Sequence, residues 1–400
     1  MIMICRRHLK FIGPGLITCT NFLDPGNWAT DLNAGQLNYK FQHLFIIFIS
    51  ILIAAFLQIL SSRLGCITGK DLGQHCKEMC DLKTSRKVIW RWTFLYPTWL
   101  LAELSVLFSD IGELIGSAIA YNLIFPKLPT WSCVMLSFLD TILVLIFMRG
   151  EGTCKAMKFF EIGISILVFI IVISSLVLLV QVKPKWTLAF QGFIPSSNLF
   201  KSNSLYTTIA IIGATINPPS LFLGSHLATQ ERLAHCIAEE FELNQSNSTA
   251  LSMSSHSLTK SSKIKTYLNH SSFDILASFL TLPLILNASI LIISTTVNKG
   301  QLPNLITMYT ILEVNQGKGL SLLYSISLLL SASAASLTAT LAGQSISDGL
   351  MGYKPKALIR RILTRGLGSI PAFVVAYHSG LSGLNQLLIN SQAAISLLIP

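Results

Sequence analysis

The feature that most restricts this chain is the return, ten times, of an apolar run long enough to cross a lipid bilayer. The runs lie at about 11–35, 42–62, 92–124, 132–148, 159–182, 205–227, 272–297, 320–342, 362–379 and 383–400. A hydrocarbon core of about 30 Å takes roughly 17–25 residues of helix to cross. Inside it every backbone N–H and C=O must be satisfied within the segment, so runs of this length read as helices. Charged residues make up 12% of the chain and hydrophobic ones 52%, against about a quarter charged in an ordinary soluble domain. The expectation is an all-α polytopic membrane protein of about ten transmembrane helices, one transmembrane domain over residues 1–400 with the lipid bilayer as its solvent.

The net charge of +11 invites a nucleic-acid partner, so its distribution decides the matter. With the N-terminus cytoplasmic and all ten runs crossing, 22 of the 29 Lys and Arg fall on the cytoplasmic side. They include Arg6, Arg7, Lys10, those of the 63–91 loop and those of the 354–365 group. This is the positive-inside bias of a membrane protein. A nucleic-acid face would gather aromatics and basic residues on one soluble element, and the sequence has none. The basic residues ahead of the first run resemble a signal peptide. However, Asp24-Pro25-Gly26-Asn27 interrupts that run and no small-residue cleavage site precedes the break, so it reads as a retained span. No sorting motif separates plasma membrane, vacuole and endosome. Cys76 and Cys80 are spaced like two ligands of a soft-metal site, but no second pair or His cluster completes it, and they read as free cytoplasmic thiols.

The connections are short except for a polar, Ser-rich stretch at about 229–270, read as a flexible cytoplasmic linker between a half with six runs and a half with four. Its sequons at Asn244, Asn247 and Asn269 are expected to be silent on that side. Two runs carry internal breaks: the first at Asp24-Pro25-Gly26-Asn27, the sixth at Asn217-Pro218-Pro219. Proline removes a backbone donor and clashes with the preceding turn. Irregular backbone at membrane depth survives only where it is buried in protein or lines a cavity. Breaks five spans apart, in corresponding places of two halves, point to a transporter's central site.

Asp24 is an ionisable group near the middle of a span, and such groups are costly there unless they have work to do. With the amide of Asn27 and the carbonyls freed by the break, it makes an oxygen-rich cation site. Asp24 is equally placed to cap the helix that starts at Pro25. In the third run Glu103, Asp110 and Glu113 share one helical face. They can pass protons, or they can pair with the arginines at the cytoplasmic end and hold helices together.

At these residues the chain resembles the Nramp family of proton-coupled divalent metal-ion transporters. Gly13-Pro14-Gly15 through Asp24-Pro25-Gly26-Asn27-Trp28-Ala29-Thr30-Asp31 is similar to that family's first-helix signature. Thr68-Gly69-Lys70-Asp71-Leu72 resembles the stretch after its second helix, and Asp110 to Leu123 its third. Phe222-Leu223-Gly224-Ser225 resembles the tail of its sixth helix in fungal-like members. Arg360-Arg361, Ser382-Gly383-Leu384-Asn385 and Ser391-Gln392 resemble its ninth and tenth. The resemblance implies a LeuT-like 5+5 inverted repeat with broken helices 1 and 6, the first repeat at about 11–182 and the second at about 205–400. It implies a metal site between those helices with Asp24 and Asn27 as side-chain ligands. The carbonyls of Ala214 and Asn21 would join in some states, as would Gln392 when the outer side is accessible. It places the proton route along Glu103, Asp110 and Glu113, leaving past Arg360 and Arg361. Divalent metal ions and protons would be cargo, and no cofactor is implied.

Two departures stand out. The family's sixth helix carries Met-Pro-His where this chain has Asn217-Pro218-Pro219, and its second sixth-helix histidine falls at Gly224. Methionine sulfur is soft and favours Mn, Fe, Co and Cd over Ca and Mg, whereas Asn217 offers a hard amide oxygen. The sequence also stops at Pro400 within the tenth run, short of the eleventh and twelfth helices of many members. The expected function is proton-coupled import of Mn or Fe by a carrier that is not an enzyme. The competing readings are a carrier of harder cations such as Mg, a non-transporting sensor or scaffold, and an amino-acid carrier of the same fold class.

Overall fold

All regular backbone among the described residues is helical, as the apolar pattern demands. The structure, a computed structural model, describes residues 14–36, 40–82, 86–147, 154–229, 253–297, 304–353 and 356–398. The first run forms α1 (Pro14–Cys19) and α2 (Pro25–Gln36) with a short 3-10 turn between them. The second is α3 (Leu44–Thr68), closed by Gly69 in the left-handed conformation (φ 71°), and a short amphipathic α4 (Leu72–Leu82) follows. A single π turn, Arg91–Leu95, leads into the third span, α5 (Tyr96–Ile124). The fourth and fifth runs are α6 (Thr130–Phe147) and α7 (Cys154–Val182). The sixth is split into α8 (Ser202–Thr215) and α9 (Pro218–Leu227).

The Ser-rich stretch differs from the expected linker. Residues 230–252 lie outside the described residues, and with them the sequons at Asn244 and Asn247. From Met253 the chain is helical, continuing without interruption into the seventh span as α10 (Met253–Val297). The segment from Met253 to the apolar run is polar but has neither Gly nor Pro. Nothing in it stops a helix that the apolar run has already nucleated. Outside the spans, α11 (Leu305–Gln316) starts from a capping box in which the Asn304 side chain accepts the N–H of Thr307 at 2.7 Å. The eighth span is α12 (Lys318–Ile346).

The ninth and tenth runs, together α13 (Ala357–Ser396), are two helices joined at a kink. Gly380 sits at φ 60°, ψ −148°, and a Cβ on Gly383 would lie 2.8 Å from Val375 Cγ1. Eight residues of straight helix separate two positions by about 12 Å, so the chain bends sharply at Gly380 and the two runs are separate helices. That backbone region is open to glycine and almost nothing else, at a cost of about 1–3 kcal/mol for other residues. Gly380→Ala is therefore expected to lower the thermal midpoint of the detergent-solubilised protein. Gly366→Ala, at an ordinary helical position with open space around it, should leave the midpoint unchanged or raise it slightly.

The packing places the two broken spans at the centre. α10 lies against α1, α2 and α3, while α5 lies against both α12 and α13. The shared interior runs from Leu16, Phe22 and Trp28 through Ile115 and Ile119 to Phe279, Leu291 and Leu388. The outward faces carry Phe56, Ile162, Phe169, Ile173 and Val180, the apolar surface a lipid environment accepts at no cost.

Candidate metal centre

The first break is built by proline and paid for with hydroxyls. Pro25 is the first helical residue of α2, where its missing N–H is no loss. The Asp24 carboxylate accepts the N–H of Gly26 at 3.2 Å and that of Asn27 at 3.1 Å, so the capping role expected of Asp24 is present. Upstream, carbonyls freed by the break find partners on neighbouring spans. The Phe22 carbonyl accepts from Asn287 Nδ2 of α10 at 3.3 Å, and the Leu23 carbonyl accepts from the Ser331 hydroxyl of α12. Thr338, also on α12, donates to the Asn21 side-chain oxygen and lies 3.1 Å from the Thr20 hydroxyl. Small hydroxyl residues on α12 thus let a non-helical stretch stay buried.

The second break follows the same rule. Ile216 (φ −92°, ψ 79°) and Asn217 (φ −93°, ψ 110°) leave helical geometry before Pro218, as the residue ahead of a proline must. The Asn217 amide donates to Ser109 Oγ at 3.2 Å and lies 3.5 Å from Ser105 Oγ, both on α5.

The two breaks meet. Asn27 Nδ2 donates to the Asp24 carboxylate and, at 3.3 Å, to the carbonyl of Ala214. Beside them is a cavity of about 10 Å³, lined among others by Asn21, Asp24, Ser109, Glu113, Asn217 and Pro219. That is room for one water-sized body. Gln392 lies at the same level but does not line the cavity. It is 1% exposed, packed against the backbones of Gly26 and Gly112, and its Nε2 has no partner. The structure therefore brings Asn21, Asp24, Asn27, Ala214 and Asn217 together around Pro25, Gly26, Pro218 and Pro219, with Gln392 adjacent.

The acids of α5 lead away from this cavity. Glu113 lines it and lies 3.3 Å from Arg361 and 3.7 Å from Arg365. Asp110 Oδ1 lies 2.7 Å from Arg361 Nη1 and 3.1 Å from Arg365 Nε. Further along, Glu103 is paired with Arg360, and Ser347 donates to it at 2.9 Å. The ion pairs expected of these acids are thus present, as two groups between the cavity and the start of α13. Arg365 is a member that sequence reasoning missed. Its spacing of four from Arg361 puts both on one face of α13, which was the available signal.

Gly224, where a second histidine was noted as missing, is filled from outside: a Cβ there would overlap the Gln58 side chain of α3. Neither Cys76 nor Cys80 is in a disulfide. Burial pushes the Cys76 thiol up, and Cys80 and Asp71 push it the same way, which suits an inert thiol rather than a thiolate ligand.

A family model described as natural resistance-associated macrophage protein-like matches residues 15–400. The chain belongs to the Nramp family. Among its Nramp relatives, the manganese transporter pdt1 of Schizosaccharomyces pombe is 36% identical over 99% of this chain and 73% of its own length. The iron transporter SMF3 of Saccharomyces cerevisiae is 31% identical over 100% of this chain and 81% of its own. A crystal structure of the Eremococcus coleocola manganese transporter, in complex with an aromatic bis-isothiourea substituted compound, superposes with a TM-score of 0.77. It shares 29% identity and covers 98% of this chain and 78% of that one. The architecture is that of Nramp transporters, an integral multi-pass membrane protein with helices 1 and 6 broken.

Proposed function

We propose that this Nramp protein carries divalent transition-metal ions of the Mn/Fe class across its membrane towards the cytoplasm, coupled to protons. The observation that carries the reading is the position of the Asn27 amide. Its NH₂ group bridges the Asp24 carboxylate of one break and the Ala214 carbonyl of the other. A donor held between two acceptors marks a place that attracts a cation. Rotation of that amide would present its oxygen to an ion bound by Asp24 and the Ala214 carbonyl, with Asn217 and Asn21 facing the same cavity. Several oxygens at one point suit a divalent ion. Named manganese and iron transporters among the relatives support the cargo class.

Alternating access supplies the movement: one group of helices rocks against the other around the breaks. Protons reach the centre through Glu113, which shares the cavity with Asp24, and leave along Asp110, Glu103 and the arginines of α13. The charge bias assigns the N-terminus and that exit to the cytoplasm. The test is Mn²⁺ uptake by the full chain in proteoliposomes, with and without an inward proton gradient. Uptake that the gradient accelerates is expected. A well-folded protein with no Mn²⁺ uptake would sink the reading.

The all-oxygen donor set has a further consequence. Without the soft sulfur of methionine, the site separates Mn²⁺ from Ca²⁺ and Mg²⁺ less sharply. Asn217→Met is expected to raise the Ca²⁺ concentration that halves Mn²⁺ uptake by roughly tenfold, an energy difference of about 1.4 kcal/mol. The exchange strands no buried group, because the hydroxyls of Ser105 and Ser109 can turn to carbonyls of their own helix. Competition curves for wild type and variant provide the check. Wild-type uptake that is already insensitive to millimolar Ca²⁺ would contradict the argument.

A further inference from the structure

α2 carries another acid on the strip that bears Asn27. Asp31 follows Asn27 by four residues, so the two stand one above the other on the helix. Asp31 is 1% exposed, and its Oδ2 has no hydrogen-bond partner. Among the described residues, no Lys, Arg or His nitrogen lies within ion-pair distance of it. The charged group close enough to act on it is Asp24, of the same sign. A carboxylate buried without a partner is costly, and at membrane depth it points to function.

No structural duty accounts for it. α2 is held by other residues: Trp28 packs against Tyr324 with the rings tilted, the Leu32 carbonyl accepts from Ser294 at 2.7 Å, and Asn33 donates to Thr207 at 3.3 Å. Two of the ties of α2 go to α8, Asn27 to Ala214 and Asn33 to Thr207. Along α2, Asp31 falls between them. It sits on the far side of the break from the α9, Ser109 and Glu113 cavity, in the half of the first span that the charge bias turns outward.

We propose that Asp31 is a second cation-binding residue of the transport route. It receives the divalent ion from the outer side and passes it to Asp24 and Asn27, about 6–10 Å deeper at 1.5 Å per residue. The proposal rests on the transport reading above. Where the ties between α2 and α8 part, Asp31 is the first carboxylate an entering ion meets. Where they are closed, as here, it stands buried and unpaired.

The test measures Mn²⁺ flux from each face separately, in proteoliposomes of known orientation, for wild type, Asp31→Asn and Asp31→Glu. An ion paused at Asp31 itself, about 4 Å from its carboxylate, gains at least fourfold in local occupancy from that charge in water, and only ions entering from the outer face pause there. Asp31→Asn is therefore expected to raise the KM for Mn²⁺ offered at the outer face about fourfold or more, with the inner-face KM and the maximal rate near wild type. Asp31→Glu should restore the outer-face KM. Asp31→Ser, which also lacks the charge, gives the same reading should the Asn variant not fold. An outer-face KM left unchanged in a transporting protein, or one that rises equally at both faces, overturns the proposal alone. Absence of wild-type flux overturns the transport reading and this proposal with it.

Discussion

Asp24→Ala is expected to lower Mn²⁺ uptake at least about 100-fold. Loss of a group that merely orients a metal ligand costs 10–100-fold, and here the ligand itself is removed. Asp24 is the acid that both lines the cavity and meets Asn27 at the break. The alanine variant also loses the acceptor for the N–H groups of Gly26 and Asn27, a capping loss of about 1 kcal/mol. Asp24→Asn separates the two roles. It keeps an oxygen for the cap and discards the charge, so stability should hold while uptake still collapses. Uptake near wild type in Asp24→Asn would show that the carboxylate serves the fold and not the ion.

The second large effect is expected at Arg361. Its guanidinium is 1% exposed, within reach of both Asp110 and Glu113, and it donates to Ser336. Removing one partner of a buried ion pair leaves an uncompensated charge and costs about 3–5 kcal/mol. Arg361→Ala leaves Arg365 to serve two carboxylates alone. A marked drop in thermal midpoint in detergent is expected, with loss of the acceleration of uptake by a proton gradient. Arg361→Lys keeps the charge but not the planar fork, and should fall between. Arg360→Ala provides the contrast: its pair with Glu103 is 10% and 20% exposed, so water can replace the lost partner and the drop should be smaller. If Arg361→Ala melts with wild type, this group of charges contributes nothing to holding α13 on α5.

What could be read from the sequence follows from the range of the forces involved. Spans are announced by local apolar length, and both breaks by proline, which acts on its own neighbours; hence Asp24, Asn27 and Asn217 were found. The hydroxyls of Ser331 and Thr338 are not legible, because serine and threonine on a membrane helix look alike whether they cap a distant carbonyl or their own. Arg365 was overlooked because its partners sit some 250 residues earlier in the chain. Asp31 lies within the first-helix motif, and only its burial shows that its Oδ2 lacks a partner. Polarity alone reads as a linker as far as residue 270, yet residues 253–270 contain no helix breaker and are helical.

The meeting of α3 with α9 has a mechanical meaning. A side chain at Gly65 would run into the Ser225 carbonyl, so main chain rests almost on main chain there, and at Gly224 the Gln58 side chain fills the space a side chain would need. Two rods joined that tightly cannot slide by small rotamer adjustments. A tilt of α9 about Asn217 would therefore take α3 with it, and a door hinged at that break would swing on a double leaf.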